Sequence, residues 1–487
     1  MSAVYTTRCG QFINLAVSKV CYDSCVSTRR KPKIAMTNTT SNLAVNLTDA
    51  YDICDPVKPL QGDDLARYYI PLVEARNTEA IIQVGQILQQ QKADKFSTIL
   101  FTGHRGCGKS TELRRIEKHW QKEYLTIFLN VEEETDINDV EYIDIYLTVI
   151  RQVEYALRQL KVNFDQELLK SFETWFRDIT KESEETVQRS LNTEAEIQLG
   201  GEAPFLAKLL FKLTGQIKNS TSEKTTIREK LIKEVTRMKA DINLLLADGF
   251  KKLRSKFPQY KGILVILDNL DRCPPEVSNK LFFDYAAQLQ ELHCTIIYTV
   301  PIDILYSPRG LNNSFGDPHI VPMVGIYELD RDRYPLGYNN KGLDAVAAII
   351  EKRVDVSAIF ASRNELLDLV KISGGHVRQL MQLMQRACIT ASGRDHDKIQ
   401  PDDVDYAVKQ LQFSYERFTP KKYFKELANI ARTKEIEDDE VGQKMLFSTA
   451  VLEYNGSDRW NYPNPLLMRG NAFTKSISQS ISSQSAT

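Results

Sequence analysis

Four short apolar runs mark the first 300 residues of the chain: 97–102, 125–131, 263–267 and 295–300. Each is nearly continuous rather than alternating, the pattern of a strand covered on both faces. Between them the apolar period lengthens to that of a helix. Residues 63–92 read as two helices, with Val84, Ile87 and Leu88 recurring at helical spacing, and 109–122 and 275–292 as one each. The stretch 139–258 is almost wholly helical. It ends in a long amphipathic helix or pair over 223–256, where Ile227, Leu231, Val235, Met238, Ile242, Leu245 and Leu246 recur. A weaker strand is expected over 319–328. Short buried strands alternating with helices predict an α/β fold with a parallel sheet covered on both sides.

Beyond about residue 340 the strand pattern stops. Helices are predicted at 342–353, 363–371, 376–391 and 401–414. Residues 420–470 add further helices and a two-stranded hairpin over 452–462, marked by the turn pair Asn455-Gly456. The Thr/Asn-rich stretch 36–60 reads as a tail or loop, and the Ser/Gln-rich 471–487 as disordered.

Composition refines this picture. The 487 residues are 42% apolar and 26% charged, enough for a large core without disulfide or metal staples. No run approaches the ~18 apolar residues of a membrane span. The net charge of −1 is an average of unlike parts: residues 1–35 carry +5 and the rest −6. The first segment, rich in Ser, Thr and Arg, has transit-peptide chemistry. The alternative is translation from Met36, which leaves 1–35 as an upstream extension. The acidic body argues against a basic nucleic-acid coat protein. Eight cysteines (9, 21, 25, 54, 107, 273, 294 and 388) show no Cys-x-x-Cys spacing and no cluster with histidine. They read as reduced core residues, so a cytoplasmic setting is expected.

The strongest chemical signal is Gly103-His104-Arg105-Gly106-Cys107-Gly108-Lys109-Ser110, followed by Thr111. It fits G-x-x-x-x-G-K-[ST] and stands between a strand and a helix. Glycines let the backbone wrap an anion with its N–H groups inward, and the helix start adds unpaired amides and a positive dipole end. Lys109 supplies a charge for β- and γ-phosphates, and the Ser110 hydroxyl an oxygen ligand for Mg²⁺. A second expected Mg²⁺ ligand is Asp268, at the end of the 263–267 strand. The next residues are Asn269-Leu270-Asp271-Arg272. Asn269 cannot act as a base. Asp271 is either the group that activates water or a carboxylate paired with Arg272 or capping the next helix. Thr299 ends the following strand, where it either senses the γ-phosphate or simply satisfies the strand end.

The order of these features resembles the AAA+/STAND branch of P-loop ATPases. Asp268-Asn-Leu-Asp-Arg272 is similar to the Walker B extension of the KAP and NACHT groups. Ser373-Gly-Gly-His-Val-Arg378 looks like the sensor 2 element of origin-recognition and STAND-type lids. The resemblance implies that Arg378 reaches the γ-phosphate, with Gly374 and Gly375 opening its helix. The stretch Tyr68-Tyr69-Ile70-Pro71-Leu72, with Arg76, stands where related ATPases build an adenine pocket; Tyr69 or Ile70 either packs on the base or serves ordinary helix packing. An arginine finger, if present, falls to Arg309, with Arg331 and Arg333 as rivals; all three also read as surface arginines. The end of the chain resembles the winged-helix unit that follows such lids. One departure stands out, since the family pattern places Glu where this chain has Asn269.

The predicted organisation is a leader or tail over 1–60, a P-loop NTPase domain over 61–335 with a helical insertion at 139–258, a lid over 336–415, a winged-helix-like unit over 416–470 and a tail over 471–487. The expected function is an ATP-binding, ATP-hydrolysing switch with Mg²⁺. Its nucleotide state would control lid closure and either self-association or an unknown protein effector. Alternatives are a DNA-associated initiator or loader, and a scaffold that binds ATP without hydrolysis. DNA binding is not favoured: 434–440 is acidic and the hairpin carries no Lys/Arg stripe. The basic, apolar stretch 203–218 suits a membrane surface, a partner, or packing against 223–256.

Overall fold

A computed structural model describes residues 43–93, 95–180, 187, 199, 203–218 and 222–484. The expected leader 1–35 and the beginning of the 36–60 tail lie outside the described residues. Strands β1 (Thr98–Thr102), β2 (Tyr124–Asn130), β3 (Gly262–Asp268), β4 (Thr295–Val300) and β5 (His319–Ile320) form one parallel sheet in the order β2-β3-β4-β1-β5. The pairings Thr102↔Val300 and Asn130↔Asp268 bring neighbouring carboxyl ends level. In open parallel sheets, ligands bind beyond those ends.

Alternation along each strand divides the core in two. Ile99, Phe101, Leu264, Ile266 and Ile297 pack with Leu113 and Ile116 of the helix after β1, and that core runs on into the lid. Leu100, Val265, Leu267, Ile296 and Tyr298 face the other way, onto the insertion. The insertion is therefore the second layer of the fold rather than an appendage. Its described helices are Tyr142–Gln159, Gln166–Thr180, Phe205–Lys218, Ser222–Lys233 and Val235–Lys256. Leu206, Leu209, Leu210 and Leu213 are fully buried there. The 203–218 stretch thus packs inside the protein rather than presenting its apolar face outward.

Three expectations change. The strand expected over 319–328 shortens to His319–Ile320, because the chain then bonds several partners in turn. Val321 N–H donates to Thr102 O, Met323 N–H to Glu453 O and Gly325 N–H to Ala75 O. The helix expected over 275–292 is broken by a π-helical turn at Lys280–Asp284. The two tails hold more structure than their composition suggests. Leu47–Ile53 is a helix capped by Asn46, with Ala50 and Cys54 buried in the lid core. Asn471–Gln484 is also a helix, anchored by buried Phe473 and Ile477. Their four-residue spacing is a helical signal that the Ser/Gln background hides. Composition is an average, and two buried side chains suffice to dock a short helix.

The lid helices Asn340–Glu351, Arg363–Ser373, Val377–Gly393 and Pro401–Phe418 join the first core. Helices Tyr423–Thr433 and Glu440–Phe447 then lead to an antiparallel hairpin of β6 (Val451–Asn455) and β7 (Arg459–Pro463), a winged-helix-like layout. No described helix is long and apolar enough to cross a membrane.

Candidate nucleotide-binding site

The loop from Gly103 to Gly108 leaves the end of β1 and feeds the helix Lys109–Trp120. Gly106 and Gly108 have φ of 89° and 107°, values that L side chains rarely adopt. A Cβ on Gly106 would stand 2.5 Å from the His376 ring and 2.8 Å from Arg378 Cβ. The loop therefore needs glycine for its own turn and for the lid's approach. At the helix start, Lys109 and Ser110 carry amides that lack intrahelical acceptors.

Lys109 is buried. Its ammonium donates to Gly103 O at 2.8 Å and His104 O at 2.9 Å, and pairs with Asp271 at 2.8 Å. The Ser110 side chain lies beside the Asp268 carboxylate and favours its ionised form. The sequence-predicted Lys109, Ser110, Asp268 and Asp271 are thus gathered at one place from two segments some 150 residues apart. Burial, then the neighbouring Asp271 charge, raise the Asp268 pKa, while Ser110 and Lys109 oppose them. A cation beside this pair would favour the ionised form. The oxygen-rich Ser110–Asp268 pair suits Mg²⁺, and the glycine-bounded loop with its lysine suits a polyphosphate.

Asn269 adopts φ 71°, left-handed geometry that asparagine tolerates better than glutamate. Its side-chain amide donates to Asn130 Oδ1 at 2.6 Å, on the end of β2. The missing glutamate is thus replaced by a residue with a conformational task. The next turn, Leu270–Arg272, carries Asp271. Thr299 holds that turn: its hydroxyl donates to Leu267 O at 3.1 Å and accepts from Leu270 N–H at 3.0 Å. The structure therefore engages Thr299 as a strap for the Asp271 turn. Arg272 pairs with Glu132 rather than with Asp271.

The lid lies directly on the loop. Arg378 N–H donates to Gly106 O at 3.1 Å, and its Nε donates to Pro56 O at 3.2 Å. Burial and the positive charges of Arg272 and Arg105 lower the Arg378 pKa; Asp271 works against them. His376, which the motif reading passed over, caps the same helix and places its Nε2 2.9 Å from Arg105 O. Its buried ring is pushed down to about 3, so it is neutral at physiological pH.

Other expected residues are placed differently. Arg76 bonds the Cys107 carbonyl and pairs with Glu112 at 3.5 Å, bracing the loop from behind. The Tyr69 ring lies under Arg115, 4.1 Å away, and its hydroxyl donates to Glu112 at 3.2 Å. Arg309 pairs with Asp284, and Arg331 with Glu435 and Asp458. The Arg333 carbonyl accepts from Lys434 at 2.7 Å.

A carboxyl that no motif marks stands behind the site. Asp303 is 1% exposed, and burial pushes it up to about 7, helped by the Asp271 charge. Its folded pKa exceeds the ordinary carboxylate value, so the folded state holds a proton that the unfolded chain releases. Stability should fall as pH rises from about 4 to about 7, then level off. Asp303→Asn should flatten that slope and stabilise the protein at pH 8 by roughly 2–4 kcal/mol. Thermal unfolding across pH checks this, and an unchanged slope would refute it.

Residues 77–288 match the KAP family P-loop domain. This segment is similar to a P-loop NTPase domain. It runs from before β1 through the insertion and β3 to the broken helix that follows. No curated protein matches the chain. Among solved structures, Cdc6p from Pyrobaculum aerophilum is 14% identical, covering 88% of this chain and 98% of that one, with a TM-score of 0.38. The Aeropyrum pernix ORC2 protein, in ADPNP–ADP complexes, is 12% identical, covering 89% and 98%, also at 0.38. Drosophila ORC bound to DNA is 9% identical, covering 94% and 96%, at 0.37.

Proposed function

We propose that the protein is an ATP-dependent switch, in which Mg²⁺ and the triphosphate are held between the 103–110 loop and the Asp268 turn, and the lid reads the phosphate state. The carrying observation is the meeting of Lys109, Ser110, Asp268 and Asp271, with the Arg378 helix resting on the same loop.

The phosphates would lie on the loop amides and draw the Lys109 ammonium from Asp271. Mg²⁺ would be held by Ser110 and the Asp268 carboxylate, supplying charge neutralisation at the phosphates. Asp271, relieved of its partner, is the nearest side chain fit to orient or deprotonate water. The Arg378 backbone is already fixed at Gly106, so a rotation of its side chain away from Pro56 would reach an anion on the loop. Nucleotide state would thereby bias the lid, and with it assembly or an effector. Both hairpin strands are mostly buried, which leaves only the tip for a groove and does not favour DNA reading by the wing.

Incubation with ATP and Mg²⁺ should release phosphate over many turnovers. Arg378→Ala should keep ADP affinity within about threefold while losing about tenfold in affinity for a slowly hydrolysed ATP analogue. A factor of ten corresponds to about 1.4 kcal/mol, modest for one charged hydrogen bond. Equal loss for ADP and the analogue would remove Arg378 as the sensor. Absence of turnover beside tight ATP binding would favour a scaffold that only holds ATP.

A further inference from the structure

We propose that the C-terminal hairpin is an intramolecular reporter of the phosphate site, coupled to it through the His104 ring. The proposal rests on the nucleotide-binding reading above and names its regulation.

His104 joins two systems. Its carbonyl accepts from the Lys109 ammonium at 2.9 Å, while its ring Nε2 accepts from the Glu453 backbone N–H of β6 at 2.7 Å. For Nε2 to accept, the ring must be neutral with its proton on Nδ1. Burial and the nearby His376 and Lys109 push its pKa down to about 3, which keeps it so. The residue is fully buried, so its ring cannot move without moving what it touches.

Glu453 carries the link onward. Its Oε2 accepts from the Tyr306 hydroxyl at 2.5 Å, and that hydroxyl accepts from Asn461 Nδ2 of β7 at 3.2 Å. Tyr306 ends the turn that follows β4, so both hairpin strands are tied to the carboxyl edge of the sheet. One residue further along β6, the Tyr454 hydroxyl donates to Gly374 O at 2.6 Å, in the glycine pair that opens the lid helix. The Gln379 and Asn464 side chains exchange a second lid contact at 2.9 Å. Loop, sheet edge and hairpin therefore share a buried polar chain, and two further buried contacts tie the hairpin to the lid, so a shift at one member is passed on rather than absorbed by solvent.

When phosphate draws the Lys109 ammonium, the His104 carbonyl gives up part of its charge-assisted bond. The His104 ring and the Glu453 amide move with it, and the hairpin tilts against Gly374. By linkage the reverse also holds: a pull on the exposed tip 456–459 changes nucleotide affinity by the same factor.

The test uses the full chain. Amide hydrogen exchange over 451–463 is compared without nucleotide, with ADP and with a slowly hydrolysed ATP analogue, alongside titration of a fluorescent nucleotide. Wild type should bind, and hairpin exchange should change several-fold on binding. Tyr306→Phe keeps the ring but removes the hydroxyl that ties Glu453 to Asn461. It should shift nucleotide affinity by about 5- to 20-fold, the range of ordinary coupling, and lose most of the exchange response. Glu453→Gln, which can still accept from Tyr306, should retain both. Nucleotide binding to wild type with no change over 451–463 overturns the coupling and leaves the binding reading intact. That comparison needs no variant, so it stands even where Tyr306→Phe fails to fold. Absence of nucleotide binding to wild type overturns both.

Discussion

Replacing Lys109 with methionine should reduce nucleotide affinity at least about 100-fold and destabilise the protein by roughly 3–5 kcal/mol. The two effects have separate causes. Affinity falls because the ammonium is a buried side-chain charge, held by the Gly103 and His104 carbonyls where the phosphates would lie. Stability falls because Asp271 loses its partner, and both members of that pair are almost fully buried, at 4% and 6% side-chain exposure. A buried carboxylate without a partner is far costlier than a neutral group of the same shape. Lys109→Met combined with Asp271→Asn should therefore recover most of the stability and none of the affinity. Calorimetric titration with ADP and urea unfolding separate the two quantities. Wild-type affinity in the single variant would sink the site assignment. A double variant no more stable than the single one would sink the account of the pair.

Asp271→Asn alone should slow phosphate release by about 100- to 1,000-fold, within the range expected for loss of general-base assistance. Nucleotide affinity should hold or rise, because the lysine no longer has a carboxylate competing with phosphate. The reasoning turns on Asn269. In this position a glutamate would serve as the base, yet the backbone is left-handed and the side chain is bonded to Asn130. Asp271 lies on the next turn, strapped by Thr299 and facing Lys109. Asn269→Ala should cost about 1 kcal/mol for the left-handed backbone and change turnover little. Single-turnover phosphate release at saturating ATP distinguishes the two variants. Equal rates for Asp271→Asn and wild type would show that the base is another group, and a large loss in Asn269→Ala would point to the Asn130 contact.

Much of this arrangement is legible from the sequence because its signals are local. An apolar run of five or six residues is a buried strand wherever it sits, and a glycine-bounded loop between a strand and a helix has one familiar use. Ile263–Leu267, Lys109, Ser110 and Asp268 fall in this class, and the KAP family match covers all of them. The helical character of 139–258 was equally plain, but its place as the second layer over the sheet was not. Nothing in a helical period says which surface it will cover. The tail helix was hidden for a different reason: Phe473 and Ile477 are diluted by serine and glutamine.

The sequence by itself determined the four longer parallel strands, the glycine-bounded loop, the acid at the end of β3 and the arginine of the lid helix. The tertiary structure alone decided which of these groups meet. It paired Lys109 with Asp271, gave Thr299 to the backbone, sent Arg378 to Pro56, and brought the hairpin amide of Glu453 to His104, 349 positions away. The physical reason is that helix and strand propensities act over a few neighbours. Burial and hydrogen-bond satisfaction, by contrast, are settled only when distant segments exclude water together, and every polar group trapped between them must then find a partner.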